Sequence, residues 1–261
     1  MVILLYFLMI MPHMFGKPDV SRFFGVHYAH RGLHDNGSGV PENSLPSFLR
    51  AVEAGYGIEL DVQLTKDEQV VVFHDNTLKR VCGVDAPVNS MTYRELKSLC
   101  LLHTEERIPL LSEVLKAVGS RVPLIVEIKM VDSKTRVCVL ADQILRNYRG
   151  IYCVESFHPL AVYWYKKNRP EIVRGQLSAD FKKEGERETF PMWIAHHLLT
   201  NFITRPDFIA YSHKGAGVPA RRICRRLYRN LSVAWTIRSE AELEAVKDQF
   251  DLFIFEGFRP K

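Results

Sequence analysis

The chain has 261 residues, 47% of them hydrophobic and 25% charged, with a formal net charge of +5. That length is too great for a small disulfide-stapled module and suits one large α/β domain, while the balance excludes a disordered chain and a polytopic membrane protein. The mild positive charge admits an anionic ligand or a membrane surface, and without a long Lys/Arg block it does not point to nucleic acid.

Residues 1–11 are an unbroken apolar and aromatic run. They lack the basic start and small-residue cleavage site of a secretory signal, and fall short of the about 20 residues that cross a bilayer. Residues 1–16 therefore read as a short or tilted membrane anchor, as an anchor that starts further upstream, or as a buried helix at the bottom of a barrel. Membrane attachment is favoured, since so long an apolar run without polar relief is costly in water. The chain is then expected to be membrane-associated, and cytoplasmic otherwise.

Residues 17–261 read as one domain. Strand-like runs fall at 25–30, 57–64, 70–74, 123–128, 151–157, 172–177, 208–212, 231–237 and 252–255. Helical patterns fall between most of them, at 44–54, 92–99, 111–118, 133–147, 160–168, 191–202, 219–229 and 240–250. Such alternation argues for a parallel sheet covered by helices. Residues 65–69 are too few for a crossover and suit a hairpin loop. The expected fold is an α/β TIM (β/α)8 barrel with one extra antiparallel hairpin strand; the alternative, in which 70–74 is itself a barrel strand, stays open. A turn centred on Lys66-Asp67 places Glu59 opposite His74, about 5 Å apart on one face. In 219–229, Arg221, Arg225 and Arg229 make one helical stripe while Ile223 and Leu227 face the sheet. That stripe is either a solvated face or a contact for anionic lipid headgroups. The five cysteines are scattered, with no C-x-x-C pair, and read as free thiols in a reducing compartment.

Four polar clusters stand at the ends of strand-like runs: His30-Arg31-Gly32, Glu59-Leu60-Asp61, His74-Asp75 and Glu127-Ile128-Lys129. Side chains at the C-terminal strand ends converge in a barrel, and period two puts Glu59 with Asp61, and Glu127 with Lys129, on shared faces. Any one cluster is explained by a solvated rim residue or a structural ion pair. Together they are harder to dismiss, because burying several charges without a ligand costs several kcal/mol each. Glu59, Asp61 and Glu127 suit one hard divalent cation, Ca²⁺ or Mg²⁺. His30 and His74 are placed as general base and acid, and Arg31 and Lys129 supply charge for a phosphate.

These residues resemble the glycerophosphodiester phosphodiesterase family. The matching text is Ala29-His30-Arg31-Gly32, Pro41-Glu42-Asn43-Ser44, Glu59-Leu60-Asp61-Val62, Phe73-His74-Asp75, Glu127-Ile128-Lys129, Ser156-Phe157 and Trp235-Thr236. The resemblance implies a phosphatidylinositol-phospholipase-like TIM barrel that hydrolyses glycerophosphodiesters, small-molecule substrates, to an alcohol and glycerol 3-phosphate. It implies His30 and His74 as the acid/base pair, Glu59, Asp61 and Glu127 as metal ligands, and Arg31 and Lys129 as phosphate-binding residues, with Phe157 and Trp235 as walls of the substrate site. The chain departs from the family at the last strand, where Phe255-Glu256 replaces the usual Thr-Asp. Two rival readings are a phospholipase C- or D-like enzyme acting on intact or lyso-phospholipid, and a barrel that binds phospholipid headgroups without turnover.

Overall fold

Strands form where the sequence places its apolar runs. The computed structural model describes residues 2–261 and contains β1 (Tyr28–His30), β2 (Gly57–Leu64), β3 (Val70–Val72), β4 (Leu124–Ile128), β5 (Tyr152–Ser156), β6 (Arg174–Ser178), β7 (Phe208–Ser212), β8 (Leu231–Ile237) and β9 (Leu252–Phe255). Each expected strand is present. The helix expected over 191–202 is two, Phe190–His196 and Asn201–Thr204. Leu198 lies between them at φ 55°, a left-handed conformation through which no right-handed helix continues.

Residues 25–152 form one compact unit. Within it β1 and β4 flank β2 in parallel, and β3 returns antiparallel to β2. The parallel register sets His30 beside Glu59 and Asp61 beside Glu127, so local strand pairing alone gathers four of the polar residues. The hairpin register differs by one residue from the expected one. Val62 faces Val72 and Leu64 faces Val70, which centres the loop on Asp67 and continues to Leu60, not Glu59, opposite His74. Turn chemistry decides this. Asp67 Oδ1 accepts from Thr65 Oγ1 at 2.6 Å and from the Tyr93 N–H at 2.8 Å, and Glu68 takes φ 59°, the left-handed residue that longer hairpin loops require. Beyond the hairpin, buried Val71, Phe73, Leu78, Val81, Leu96 and Ile108 form a small core that fixes the short helix Lys79–Cys82.

The other unit comprises residues up to 24 and from 153 onward. Strands β5 to β9 run parallel in sequence order within it. The N-terminal segment divides into two parts here. Ile10 is fully buried, and its carbonyl accepts from Asn201 Nδ2 at 3.0 Å and from Cys224 Sγ at 3.3 Å. His13 Nδ1 lies 2.6 Å from Asp207 Oδ1. The preceding helix, Val2–Met9, exposes Ile3, Leu4, Leu5 and Leu8. No described helix is long and apolar enough to cross a membrane.

The arginine stripe does not form as expected. The helix ends at Arg226 and Arg229 lies beyond it at φ 48°. Arg221 points inward: it is buried, donates to the Ala216 and Gln249 carbonyls, and stacks on Phe250 with its guanidinium carbon 4.2 Å from the ring centroid. Leu227, expected to face the sheet, is exposed. One unit supplies three parallel strands and antiparallel β3, and the other supplies five parallel strands. That is the strand set of a TIM (β/α)8 barrel with one extra hairpin strand, the fold class expected from the sequence.

Candidate active site

Seven expected site residues, His30, Arg31, Glu59, Asp61, His74, Glu127 and Lys129, all lie in the unit of residues 25–152. The chain turns sharply after β1 to present the first two. Arg31 sits at φ 55° and Gly32 at φ 81°. A Cβ on Gly32 would stand 2.4 Å from Ser47 Oγ, so this position needs glycine for both its backbone angle and its close approach. The helix Leu45–Glu53 starts there with Ser44 as its cap, and Ser47 Oγ ties back to the Arg31 carbonyl at 3.1 Å.

Glu59, Asp61 and Glu127 are buried, and each offers one carboxylate oxygen within 4.8 Å of the others. Two oxygens across one hard divalent cation stand at most about 5 Å apart, given metal–oxygen distances near 2.0–2.6 Å, so the cluster fits such an ion. Asp61 Oδ1 supports the fit. It is buried, and its partner is the Lys129 ammonium, 3.1 Å away, so the atom is held as an ionised acceptor of the kind a hard cation needs. An all-oxygen donor set favours Ca²⁺ or Mg²⁺ over softer metals.

Positive charge surrounds these carboxylates. Lys129 Nζ donates to Glu127 Oε1 at 2.9 Å. Arg31 donates through NH1 to Glu42 Oε1 at 2.7 Å, lies 3.5 Å from Asp61 Oδ2, and gives its backbone N–H to Glu59 Oε2. Burial would raise the Asp61 carboxyl, but the positive charge of Lys129 and Arg31, and of His74 when it is protonated, outweighs it and holds the group well below the usual carboxylate range. Burial likewise raises the Glu127 carboxyl, and there Lys129 offsets it only in part. The Lys129 ammonium is held above its ordinary value, because Glu127 and Asp61 overcome the burial that acts against it.

The two histidines sit differently. His30 Nε2 is 3.9 Å from Glu59 Oε2. His74 Nδ1 lies 2.7 Å from Asp75 Oδ1. Burial opposes ionisation of Asp75, yet its hydrogen bonds with His74 and Arg80 prevail and depress the carboxyl strongly. An ionised carboxylate only accepts, so Nδ1 of His74 carries the proton and Nε2 stays free to accept one.

Sequence reasoning missed a supporting network. Arg80 forks to Asp75 through Nε at 2.7 Å and NH2 at 2.9 Å, and to both oxygens of Glu42 at 2.7 Å. Glu42 also holds Arg31, and its carboxyl is lowered to about 2: burial opposes ionisation, and the Arg80 and Arg31 guanidiniums outweigh it. Asn43 Nδ2 reaches Asp61 Oδ2 at 2.8 Å. Glu42, Asn43 and Asp75 stand inside the polar text that marked the site, which was the available signal; nothing local marked Arg80. Phe157 and Trp235 belong to the other unit, where their rings meet edge to face at 5.5 Å.

The fold is that of the TIM-barrel phosphodiesterases. The family model described as the glycerophosphoryl diester phosphodiesterase family matches residues 30–248, and the chain belongs to that family. It is similar to a glycerophosphodiester phosphodiesterase of Bacillus altitudinis, 34% identical over 165 residues, covering 59% of this chain and 66% of the relative. A lysophospholipase D of Rattus norvegicus is 39% identical over 133 residues, covering 46% of this chain and 41% of that protein. The matched stretch thus spans less than two thirds of these relatives' lengths. A phosphodiesterase of Oleispira antarctica, solved in complex with the product sn-glycerol-3-phosphate, superposes with a TM-score of 0.72 at 22% identity, covering 90% of this chain and 93% of that one. This likeness shows the fold.

Proposed function

We propose that the chain is a phosphoric diester hydrolase that cleaves glycerophosphodiesters to an alcohol and glycerol 3-phosphate. One observation carries this reading: three buried carboxylates lie against Arg31 and Lys129, beside a histidine whose tautomer Asp75 sets. Family membership and the product-bound relative support the substrate class. Glu59, Asp61 and Glu127 would hold the divalent cation. When bound, that cation supplies positive charge for the phosphoryl oxygens. His74 Nε2 takes the proton from the glycerol 2-hydroxyl as that oxygen attacks phosphorus, and His30 protonates the departing alcohol oxygen. Arg31 and Lys129 hold the phosphoryl oxygens through the attack. Water then opens the cyclic glycerol phosphate with the histidines in exchanged roles.

The similarity to a lysophospholipase D favours a second reading, hydrolysis of lyso-phospholipid to choline or ethanolamine and lysophosphatidate. Both are tested by incubating the purified chain with glycerophosphocholine, glycerophosphoethanolamine and lysophosphatidylcholine. The expected result is glycerol 3-phosphate from the first two, lost in EDTA and restored by excess Mg²⁺ or Ca²⁺. Full turnover in EDTA overturns the metal assignment. Lysophosphatidate as the sole product selects the second reading, and binding without turnover of any substrate overturns both.

A further inference from the structure

The helix Val2–Met9 leaves four large apolar side chains exposed. Ile3, Leu4, Leu5 and Leu8 are 74%, 65%, 57% and 48% exposed. Leu4 and Leu5 stand four and three residues before Leu8, so the three share one helical face. The C-terminal end of the helix is anchored, since the Tyr228 hydroxyl donates to the Phe7 carbonyl at 2.9 Å and Ile10 is buried just beyond the helix. Tyr228 itself lies between exposed Leu227 and Arg229. Arg229 also lines a cavity of about 400 Å³, with Lys17, Arg225, Arg226, Asp207 and Asp251 among its walls. Both of its carboxylates are engaged, Asp207 by His13 and Arg174, and Asp251 by Arg225. Among the described residues, Lys17, Arg226 and Arg229 form no ion pair. Burial lowers the Lys17 ammonium, with Asp207 opposing only in part; an anion in the cavity would relieve that cost.

We propose that this face docks on an anionic phospholipid bilayer, with Ile3, Leu4, Leu5 and Leu8 in the acyl boundary and a lipid phosphate in the cavity of Lys17, Arg226 and Arg229. The proposal places residues 2–9, about 12 Å of helix, along the interface and not across the hydrocarbon. A short apolar segment alone attaches weakly and reversibly, and a basic patch is the second signal that makes attachment stable. Charge decides between a bilayer and a second copy of this chain. The proposed surface joins basic to apolar side chains, so a twofold copy would bring like charges together, whereas an anionic leaflet complements them. The surface is independent of the hydrolytic reading.

The test is co-sedimentation of the full chain with vesicles of phosphatidylcholine, with and without phosphatidylserine. Two variants accompany it: Arg226→Glu/Arg229→Glu, and Ile3→Ser/Leu4→Ser/Leu5→Ser/Leu8→Ser, which leaves buried Ile10 and His13 intact. Wild type is expected to sediment with the serine-lipid vesicles and to weaken as salt rises. At roughly fivefold per cation, the charge variant should bind at least about 25-fold more weakly, with an unchanged melting temperature. The serine variant should lose binding as well; if it does not fold, the charge variant alone decides. Equal binding to pure phosphatidylcholine, or no binding to either vesicle, overturns the proposal. So does undiminished binding of the charge variant, displacement by millimolar inorganic phosphate, or a wild-type dimer that the serine variant turns into a monomer.

Discussion

Replacing Asp75 by Asn tests whether the carboxylate serves the histidine beside it. The substitution keeps the shape of the side chain and removes its charge. When His74 accepts a proton, the imidazolium gains the field of a carboxylate whose Oδ1 is 2.7 Å from Nδ1. Charge centres about 4 Å apart interact by about 4 kcal/mol at an effective dielectric of about 20. The side chains are 33% and 21% exposed, and solvent screening roughly halves that figure. A loss of about 2 kcal/mol in the transition state lowers kcat about 30-fold. KM should move little, because Asp75 contacts His74 and Arg80 and none of the metal-site carboxylates. Arg80 keeps its two bonds to Glu42, so the melting temperature should fall by a few degrees at most. The assay is steady-state release of glycerol 3-phosphate from glycerophosphocholine, repeated in a His74→Asn background, where the second change should cost nothing further. A kcat within twofold of wild type, or the full 30-fold loss in both backgrounds, refutes the reasoning.

His30→Gln and His74→Gln should each cost about 10²–10⁴ in kcat, and the double variant little more than either; multiplicative losses in the turnover assay would mark two independent contacts. Glu59→Gln should weaken Mg²⁺ or Ca²⁺ binding in titration calorimetry together with turnover, and unaltered affinity would remove Glu59 from the ligand set. The Glu42 carboxyl, held at about 2 against an ordinary 4.5, contributes stability of about 3 kcal/mol at neutral pH. Its pKa is depressed by folding, so the contribution is complete above about pH 4.5 and disappears as the pH falls toward 2. The melting-temperature gap between wild type and Glu42→Gln should narrow over that window, and a gap independent of pH contradicts the assignment. Ile10→Ala should destabilise the chain by about 2–5 kcal/mol in denaturant unfolding, as for a buried core residue; a change below about 0.5 kcal/mol would place Ile10 outside the core.

The sequence alone determined what depends on short stretches of chain. Each of β1 to β9 lies on an apolar run because a buried strand needs one locally. The five-residue gap at 65–69 disclosed the hairpin because no helix fits in it. Carboxylates at 59, 61 and 127 were legible as a cluster because period two orients them and strand ends gather them. The tertiary structure decided what depends on partners distant in sequence. The hairpin register shifted by one residue because Asp67 bonds to the Tyr93 N–H, and no pattern within 57–74 reveals that contact. Arg80 joined the site by forking to Glu42, 38 residues away. Arg221 left its stripe because carbonyls at 216 and 249 and the Phe250 ring together repay burial of its charge. The apolar N-terminus split at Ile10 for the same reason: Asn201 and Cys224 cap its carbonyl from across the unit, and hydropathy, which is uniform along that run, carries no record of which residues will find a partner.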